Sequence, residues 1–153
     1  MTGIPNPREE EALEILRHCG CGRARVVARV VSGIYDDALR EYGIRGGQLT
    51  TLALLTYWSG IPSAEVHRHL AMDRSTVSRN LKLMRKRGWV EAALDAHTGE
   101  RVVKVTDIGR QLVQDALPAW RAAQEQARQQ LGPDGFRALG RLGNALLTEG
   151  GAR

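Results

Sequence analysis

The fold of this chain is decided by residues 61–91, which read IPSAEVHRHLAMDRSTVSRNLKLMRKRGWVE. This stretch predicts two helices joined by a tight turn and followed by a strand. Asp73 is expected to start the second helix, because an N-cap carboxylate accepts hydrogen bonds from the free amides of the first turn. Gly88 is expected to end it, because glycine readily adopts the left-handed conformation found after helices.

The second helix carries two different faces. Val77, Leu81 and Met84 recur with helical periodicity, which predicts one narrow buried stripe. The remaining surface is basic and hydroxyl-rich, and a helix about 20 Å long with such a face suits the DNA major groove. The residues on that surface are Arg74, Ser75, Thr76, Ser78, Arg79, Lys82, Arg85, Lys86 and Arg87.

The positive charge of the chain is concentrated around this helix. The sequence has 153 residues, 42% of them hydrophobic and 25% charged, which is typical of one globular domain. Residues 60–105 hold nine Lys/Arg against five Asp/Glu, so they supply +4 of the net charge of +5. This focus indicates a polyanion-binding surface. A solvated basic face without a partner is the alternative.

The N-terminal residues indicate neither secretion nor a membrane anchor. Residues 1–20 contain two early prolines and three consecutive glutamates but no apolar segment, and no run of the chain approaches the roughly 18 apolar residues needed to cross a bilayer. Cys19 and Cys21 are the only cysteines, which is no disulfide framework. We therefore expect a cytoplasmic protein without a membrane partner.

The residues before the deciding stretch predict further helices. Residues 1–8 resemble a disordered leader, residues 9–18 a short helix, and Gly20 and Gly22 a break. From Arg23 to Tyr42 the pattern is strongly helical, with an apolar stripe wide enough to contact a second subunit as well as its own core.

A winged helix-turn-helix is the fold predicted for the centre of the chain. A helix over residues 48–58 precedes a short helix over 64–71, which Ser63 is expected to cap. Residues 89–94 and 101–105 alternate like two strands around a polar turn, so they predict a β-hairpin. A helix, a turn, a helix and a hairpin in that order form the winged motif.

Two more helices are predicted after the hairpin. The first runs from Asp107 to about Gln130 and contains Pro118, which is expected to kink or divide it. The second covers residues 134–147. The fold class is therefore mainly α with a small β-hairpin wing, and its N- and C-terminal helices are expected to form a dimerisation region.

The ordered set of motifs resembles the MarR family of regulators. The matching segments are YDDAL at 35–39, GIRGGQ at 43–48, MDRSTVSRNL at 72–81, KRGWV at 86–90 and VTDIG at 105–109. Their order and spacing cover roughly residues 22–147, and the set is more specific than any one segment.

The resemblance implies a transcriptional regulator, more often a repressor, that binds a pseudo-palindromic operator in double-stranded DNA as a homodimer. It implies a single MarR-like domain over 1–153, with residues 9–44 and 107–149 as dimerisation helices and 45–106 as the DNA-binding lobe. It also implies relief by a small-molecule effector, bound where the dimer helices meet the winged lobe. Tyr35, Trp58 and Arg23 lie within reach of that region.

Each candidate DNA contact follows from its side-chain chemistry. Arg79 is the best candidate to read a base, because its forked guanidinium matches guanine O6 and N7. The hydroxyls of the first turns can serve bases or phosphates, whereas the later cations are expected to meet phosphates. Ser63, at a helix N-terminus, can offer its backbone amide to a phosphate. The predicted DNA-binding residues are Ser63, Arg74, Ser75, Thr76, Ser78, Arg79, Lys82, Arg85, Lys86 and Arg101.

Arg101 is the predicted DNA-binding residue that lies in the wing. The wing is also where this sequence departs from the family. Family members usually carry an Asp-x-Arg-type pair near the wing tip, whereas here the polar residues are spread over Asp95, His97, Glu100 and Arg101. Arg101 is the candidate for a minor-groove or phosphate contact.

Other functions remain open on the sequence. Cys19 and Cys21 suggest a redox sensor that pairs between subunits, because Cys-x-Cys is a strained intrachain disulfide; two buried packing residues are the alternative. His67 and His69 are expected to point to different faces of a helix, so no metal site, cofactor or catalytic centre is predicted. A non-specific architectural DNA-binding protein and a protein–protein adaptor are the competing binding functions.

Overall fold

The computed structural model describes residues 6–150, with the side chains in that range except those of residue 7 and residues 146–150. Most of the predicted leader, residues 1–5, lies outside the described residues. The chain divides into two compact units, one ending at Gly33 and the other beginning at Ile34. None of the helices in the described part of the chain combines the length and apolar character needed to cross a bilayer.

The N-terminal unit begins with a capped helix, α1 (Pro7–His18). Asn6 accepts a hydrogen bond from the Arg8 amide (2.7 Å) and donates its own amide to the Glu9 carboxylate (2.9 Å), which forms a capping box. The predicted disordered leader is therefore wrong for residues 6–8, where capping and a proline at the first helical position start the helix early.

The predicted break after α1 lies at Cys19, whose backbone is extended (φ −64°, ψ 109°). Helix α2 (Gly20–Ala38) begins there rather than at Arg23, because a helical glycine costs only about 1 kcal/mol and does not prevent the helix. α2 also ends before Tyr42. A short 3-10 helix (Arg40–Tyr42) follows, and Gly43 ends it in the left-handed region (φ 66°), as expected for a terminating glycine.

The second unit contains the predicted helix-turn-helix. Helices α3 (Gly46–Tyr57), α4 (Ser63–His69) and α5 (Arg74–Lys86) pack with a small sheet around one core. Burial of these aliphatic side chains is the main stabilising contribution to the lobe. Its largest fully buried side chains are Leu39, Ile44, Leu52, Leu55, Val66, Met84 and Val90.

The sheet has three antiparallel strands in the order β1-β3-β2. The predicted hairpin is confirmed as β2 (Val90–Leu94) and β3 (Arg101–Val105). The short strand β1 (Ile61–Pro62) was not predicted; it pairs Ile61 with Val103 and so joins the start of α4 to the wing. Two residues are too few to show an alternating pattern.

The last helix, α6 (Asp107–Gly150), is interrupted at Gly132 (φ 70°, ψ 161°) and is not divided at Pro118. The sequence predicted a first helix to about Gln130 and a second over residues 134–147, and the break at Gly132 confirms that boundary. Pro133 disfavours helical backbone at the residue before it, and Gly132 adopts the left-handed alternative without steric cost. No glycine precedes Pro118, and the φ angle that its own ring fixes is close to helical.

Candidate nucleic-acid interface

Helix α5 is capped as predicted by Asp73. The carboxylate accepts hydrogen bonds from the Thr76 amide (2.8 Å), the Ser75 hydroxyl (2.6 Å) and the Thr76 hydroxyl (2.5 Å). These hydrogen bonds from Ser75 and Thr76 hold the pKa of the Asp73 carboxyl well below its usual range. The first turn of α5 is therefore a rigid, pre-formed unit.

The two faces of α5 differ in how far their side chains are exposed. Val77, Leu81 and Met84 are each less than 5% exposed and hold the helix in the core. The Arg79 guanidinium lies over the first turn, 3.5 Å from the Ser75 hydroxyl and 3.3 Å from the Thr76 hydroxyl. Contacts this long are weak and leave Arg79 able to reorient. The predicted DNA-binding side chains that lie exposed are Ser63, Arg74, Ser75, Ser78, Arg79, Lys82, Arg85, Lys86 and Arg101.

A groove of about 450 Å³ lies between α4 and α5. It collects several of the predicted residues on one surface, and the Arg74 guanidinium donates to His67 Nε2 across it (3.3 Å). Cationic and hydroxyl groups that converge on a shallow groove are suited to anionic oxygens. The polar residues that line it are Ser63, His67, Arg74, Ser78, Lys82 and Arg85.

Ser63 lies in this groove but does not cap α4. Pro62 occupies the N-cap position, no side chain caps the helix, and Ser63 is the first helical residue. The predicted Ser63 cap is therefore wrong, because pairing of β1 with β3 fixes Ile61 and Pro62 as extended backbone up to the start of the helix.

The wing ends in a tight turn organised by Asp95. Its carboxylate accepts hydrogen bonds from the amides of His97 and Thr98 (2.9 Å each), and Gly99 takes a left-handed conformation (φ 71°). The amides of Thr98 and His97 lower the pKa of Asp95. Arg101 pairs with Leu94 in the last strand pair before the turn, so Arg101 lies beside the wing tip that residues 96–99 form.

The two cysteines lie in the N-terminal unit as free thiols, Cys19 partly exposed and Cys21 exposed. The interpretation of both as buried packing residues is therefore wrong for this chain. Cys19 Sγ accepts a hydrogen bond from the Gly22 amide (3.4 Å) at the start of α2. The pair lies at the helix break because Cys19 is the residue that leaves helical geometry.

A separate apolar cavity of about 320 Å³ lies between α3 and α6. Of the residues expected near an effector, Tyr35 donates its hydroxyl to Gln124 of α6 (2.7 Å), and burial raises its pKa. Trp58 is 51% exposed beside the His69 ring. Arg23 lies in the N-terminal unit, where it contacts the Arg17 carbonyl of the same unit. No sequence motif singled out the residues that line the cavity. They are Leu49, Thr50, Ala53, Val113, Leu117 and Trp120.

Among the described side chains, no three His, Cys, Asp or Glu groups converge. His67 contacts Arg74, whereas His69 lies 5.5 Å from the Trp58 ring. The two histidines therefore have separate surroundings, as their spacing predicted.

Several solved structures of known proteins are similar to this chain. No protein-family model and no curated protein sequence matches the chain. The Mycobacterium tuberculosis transcriptional regulator MosR, solved in complex with DNA, is 32% identical, with a TM-score of 0.69 over 84% of this chain and 96% of that one.

Two more distant structures share the fold. Escherichia coli MarR in complex with operator DNA has a TM-score of 0.71 at 19% identity, covering 90% of this chain and 96% of that one. A Mycobacterium tuberculosis MarR family protein in complex with p-aminosalicylic acid has a TM-score of 0.61 at 23% identity, covering 84% and 98%. A transcriptional regulator that is 32% identical aligns over most of both chains, and the lobe of this chain is a winged helix-turn-helix. The chain therefore belongs to the MarR family of winged helix-turn-helix transcriptional regulators, which are not enzymes.

Proposed function

We propose that this protein is a sequence-specific, DNA-binding transcriptional repressor that acts as a homodimer on a pseudo-palindromic operator. The observation that carries the proposal is the division of α5, which anchors three apolar side chains in the core and exposes a basic, hydroxyl-bearing face. A rigid helix with that division is suited to enter the major groove while its lobe rests on the backbone. The DNA complex of the 32% identical MosR supports the same mode of binding.

The roles of the side chains follow from their place on the helix. Arg79 reads a base from the first turns, because its guanidinium is weakly held and can extend toward guanine. Lys82 and Lys86, further along, meet phosphates and supply affinity without sequence information. The groove between α4 and α5 receives the backbone on one side of the helix, and Arg101 meets it from beside the wing tip. The phosphate-facing groove residues are Ser63, Arg74, Ser78 and Arg85.

Apolar exposure on the terminal helices supports the homodimer. Ile15 is 66% exposed and Leu16 80% in α1, Val26 is 59% exposed in α2, and Leu142 is 63% exposed in α6. Large aliphatic side chains at this exposure favour burial against another protein surface. A second copy places two α5 helices in successive major grooves, about 34–36 Å apart.

The experiment is selection of DNA from random oligonucleotides by the purified protein, followed by affinity measurements at fixed salt. We expect a selected site with two inverted half-sites about 10–10.5 base pairs apart, bound by two chains. We also expect affinity at least about a thousandfold above that for random duplex. Equal affinity for both duplexes would establish the architectural alternative, and no DNA binding at physiological salt the adaptor alternative. A single half-site bound by one chain would contradict the dimer.

Relief by a small molecule is the regulatory part of the proposal. The cavity between α3 and α6 has room for one aromatic ring system and an almost wholly apolar lining, which suits a small aromatic ligand. With p-aminosalicylic acid as the probe, we expect rising ligand concentrations to release the selected duplex. We also expect Ala53→Leu, which fills the cavity, to abolish that release. Release that persists in Ala53→Leu would place the ligand elsewhere.

Oxidation is the second candidate for regulation, because both thiols are accessible beside a helix break. In the oxidation mechanism, peroxide accepts two electrons and two protons from two thiols of different subunits, which gives one disulfide and two waters. We expect peroxide to produce a reducible covalent dimer and to change DNA affinity in the wild type but not in a Cys19→Ser/Cys21→Ser variant. Unchanged affinity in both proteins would remove the oxidation mechanism. Free thiols also fit the cytoplasmic location that we propose.

A further inference from the structure

Arg87, at the C-terminal end of α5, contacts a turn that is far away in the sequence. Its Nη1 donates a hydrogen bond to the Gly43 carbonyl (2.9 Å), 44 residues earlier in the chain. Its guanidinium carbon lies 5.1 Å from the centre of the Trp89 ring. One side chain thus combines a charge-assisted hydrogen bond with an aromatic contact, a combination that the planar guanidinium favours.

The turn that receives Arg87 is itself firmly held. Gly43 ends the 3-10 helix after α2, and the next residue, Ile44, is only 2% exposed in the core. On the far side of the turn, the Asp36 carboxylate accepts the Gly46 amide (2.9 Å) at the start of α3. Arg87 therefore contacts a fixed point that joins α2 to α3.

The residues that follow α5 are also held by Thr106, just before α6. The Thr106 amide donates to the Trp89 carbonyl (3.0 Å), and the Thr106 hydroxyl donates to the Gly88 carbonyl (2.6 Å). Trp89 is 7% exposed and forms part of the core. Arg87 and Thr106 are thus two separate attachments at the end of the helix.

We propose that Arg87 is a positioning residue, which fixes the C-terminal end of α5 on the α2–α3 turn and so sets the angle at which the first turn meets DNA. This inference rests on the proposed DNA-binding function. A helix of 13 residues is about 20 Å long, so a tilt of about 5° at one end moves the other by roughly 2 Å. Hydrogen bonds to base edges do not tolerate such a displacement. Contacts to phosphates depend less on direction, so loss of the attachment affects specificity before affinity.

The test compares Arg87→Lys and Arg87→Gln with Lys86→Gln, the neighbouring cation assigned to a phosphate. On the selected duplex and a random duplex, Arg87→Lys should lower the operator-to-random affinity ratio by about tenfold although the charge is kept. Arg87→Gln should lower the ratio at least as much and leave the salt slope unchanged. Lys86→Gln should weaken both duplexes alike and reduce the slope by about 0.9.

Three results would overturn the inference. If Arg87→Lys keeps the ratio within about twofold of wild type, Arg87 does not position the helix. If Arg87→Gln reduces the slope as Lys86→Gln does, Arg87 is a phosphate contact. A lower thermal midpoint with an unchanged ratio, measured well below that midpoint, would show a stability role only and also contradict the proposal.

A measurement without DNA separates this inference from the proposed function. We expect backbone amide exchange at residues 87–89 to be faster in DNA-free Arg87→Lys than in wild type, and unchanged in Lys86→Gln. Wild-type protein that selects no DNA would contradict the proposed function. Exchange that is identical in the two variants would contradict the attachment, whatever the DNA result.

Discussion

Gly109 is the position where the smallest added group should have the largest effect. It lies in the first turn of α6, where a Cβ would be 2.2 Å from the Trp89 carbonyl oxygen and 2.7 Å from Val105 Cγ2. Normal contact requires a shift of more than about 1 Å, and the carbonyl cannot yield cheaply because it accepts the Thr106 amide (3.0 Å). Overpacking of this kind costs about 1–3 kcal/mol. Gly109→Ala should therefore destabilise the lobe despite the better helix propensity of alanine.

The matched control is Gly47→Ala, near the start of α3, where a Cβ meets nothing within 4 Å. There the propensity gain of up to about 1 kcal/mol should appear alone. We expect Gly109→Ala to be about 2 kcal/mol less stable than wild type in urea unfolding, which corresponds to a fall of about 4–8 °C in the thermal midpoint. Gly47→Ala should be at least as stable as wild type. Equal stability of the two variants would refute the steric argument.

Three further predictions concern α5. The low pKa of Asp73 means that the folded state holds its charge into stronger acid than the unfolded chain does, so its capping contribution is complete above about pH 4 and is lost as pH falls below that. The stability difference between wild type and Asp73→Asn in urea should accordingly be constant above pH 4 and shrink in acid; a constant difference down to pH 2 would contradict it. Arg79→Ala should weaken binding to the selected duplex by about 1–3 kcal/mol and blur the preference at one base pair, and equal losses on random DNA in gel-shift assays would remove its base-reading role. Lys82→Ala should lower affinity on every sequence and reduce the salt slope by about 0.9, whereas an unchanged slope would exclude a phosphate contact.

Local chemistry made helix α5 predictable from sequence. The Asp73 cap, the Gly88 stop and the apolar stripe are each determined by residues within one or two turns, and all three are confirmed. The hairpin was predicted for the same reason, because alternation and a glycine-containing turn are properties of adjacent residues.

The errors and omissions concern contacts between distant residues. Strand β1 forms only because Ile61 pairs with Val103, so no pattern within its two residues predicts it. The break in α6 was, by contrast, predicted between residues 130 and 134, because Pro133 is a local signal. In sequence, Arg87 resembles its basic neighbours, and only the fold brings it to Gly43.

The cap of α5 also restricts what its hydroxyl groups can recognise. The Ser75 and Thr76 hydroxyls both direct their hydrogens to the Asp73 carboxylate, so while the cap is intact they offer only lone pairs to a ligand. In the major groove, lone pairs match the amino groups of adenine and cytosine and oppose the carbonyl oxygens of guanine and thymine. Phosphate oxygens are excluded as partners for the same reason. In the proposed DNA complex, Asp73 lies outside the basic face but determines that the Ser75 and Thr76 hydroxyls accept, rather than donate, hydrogen bonds.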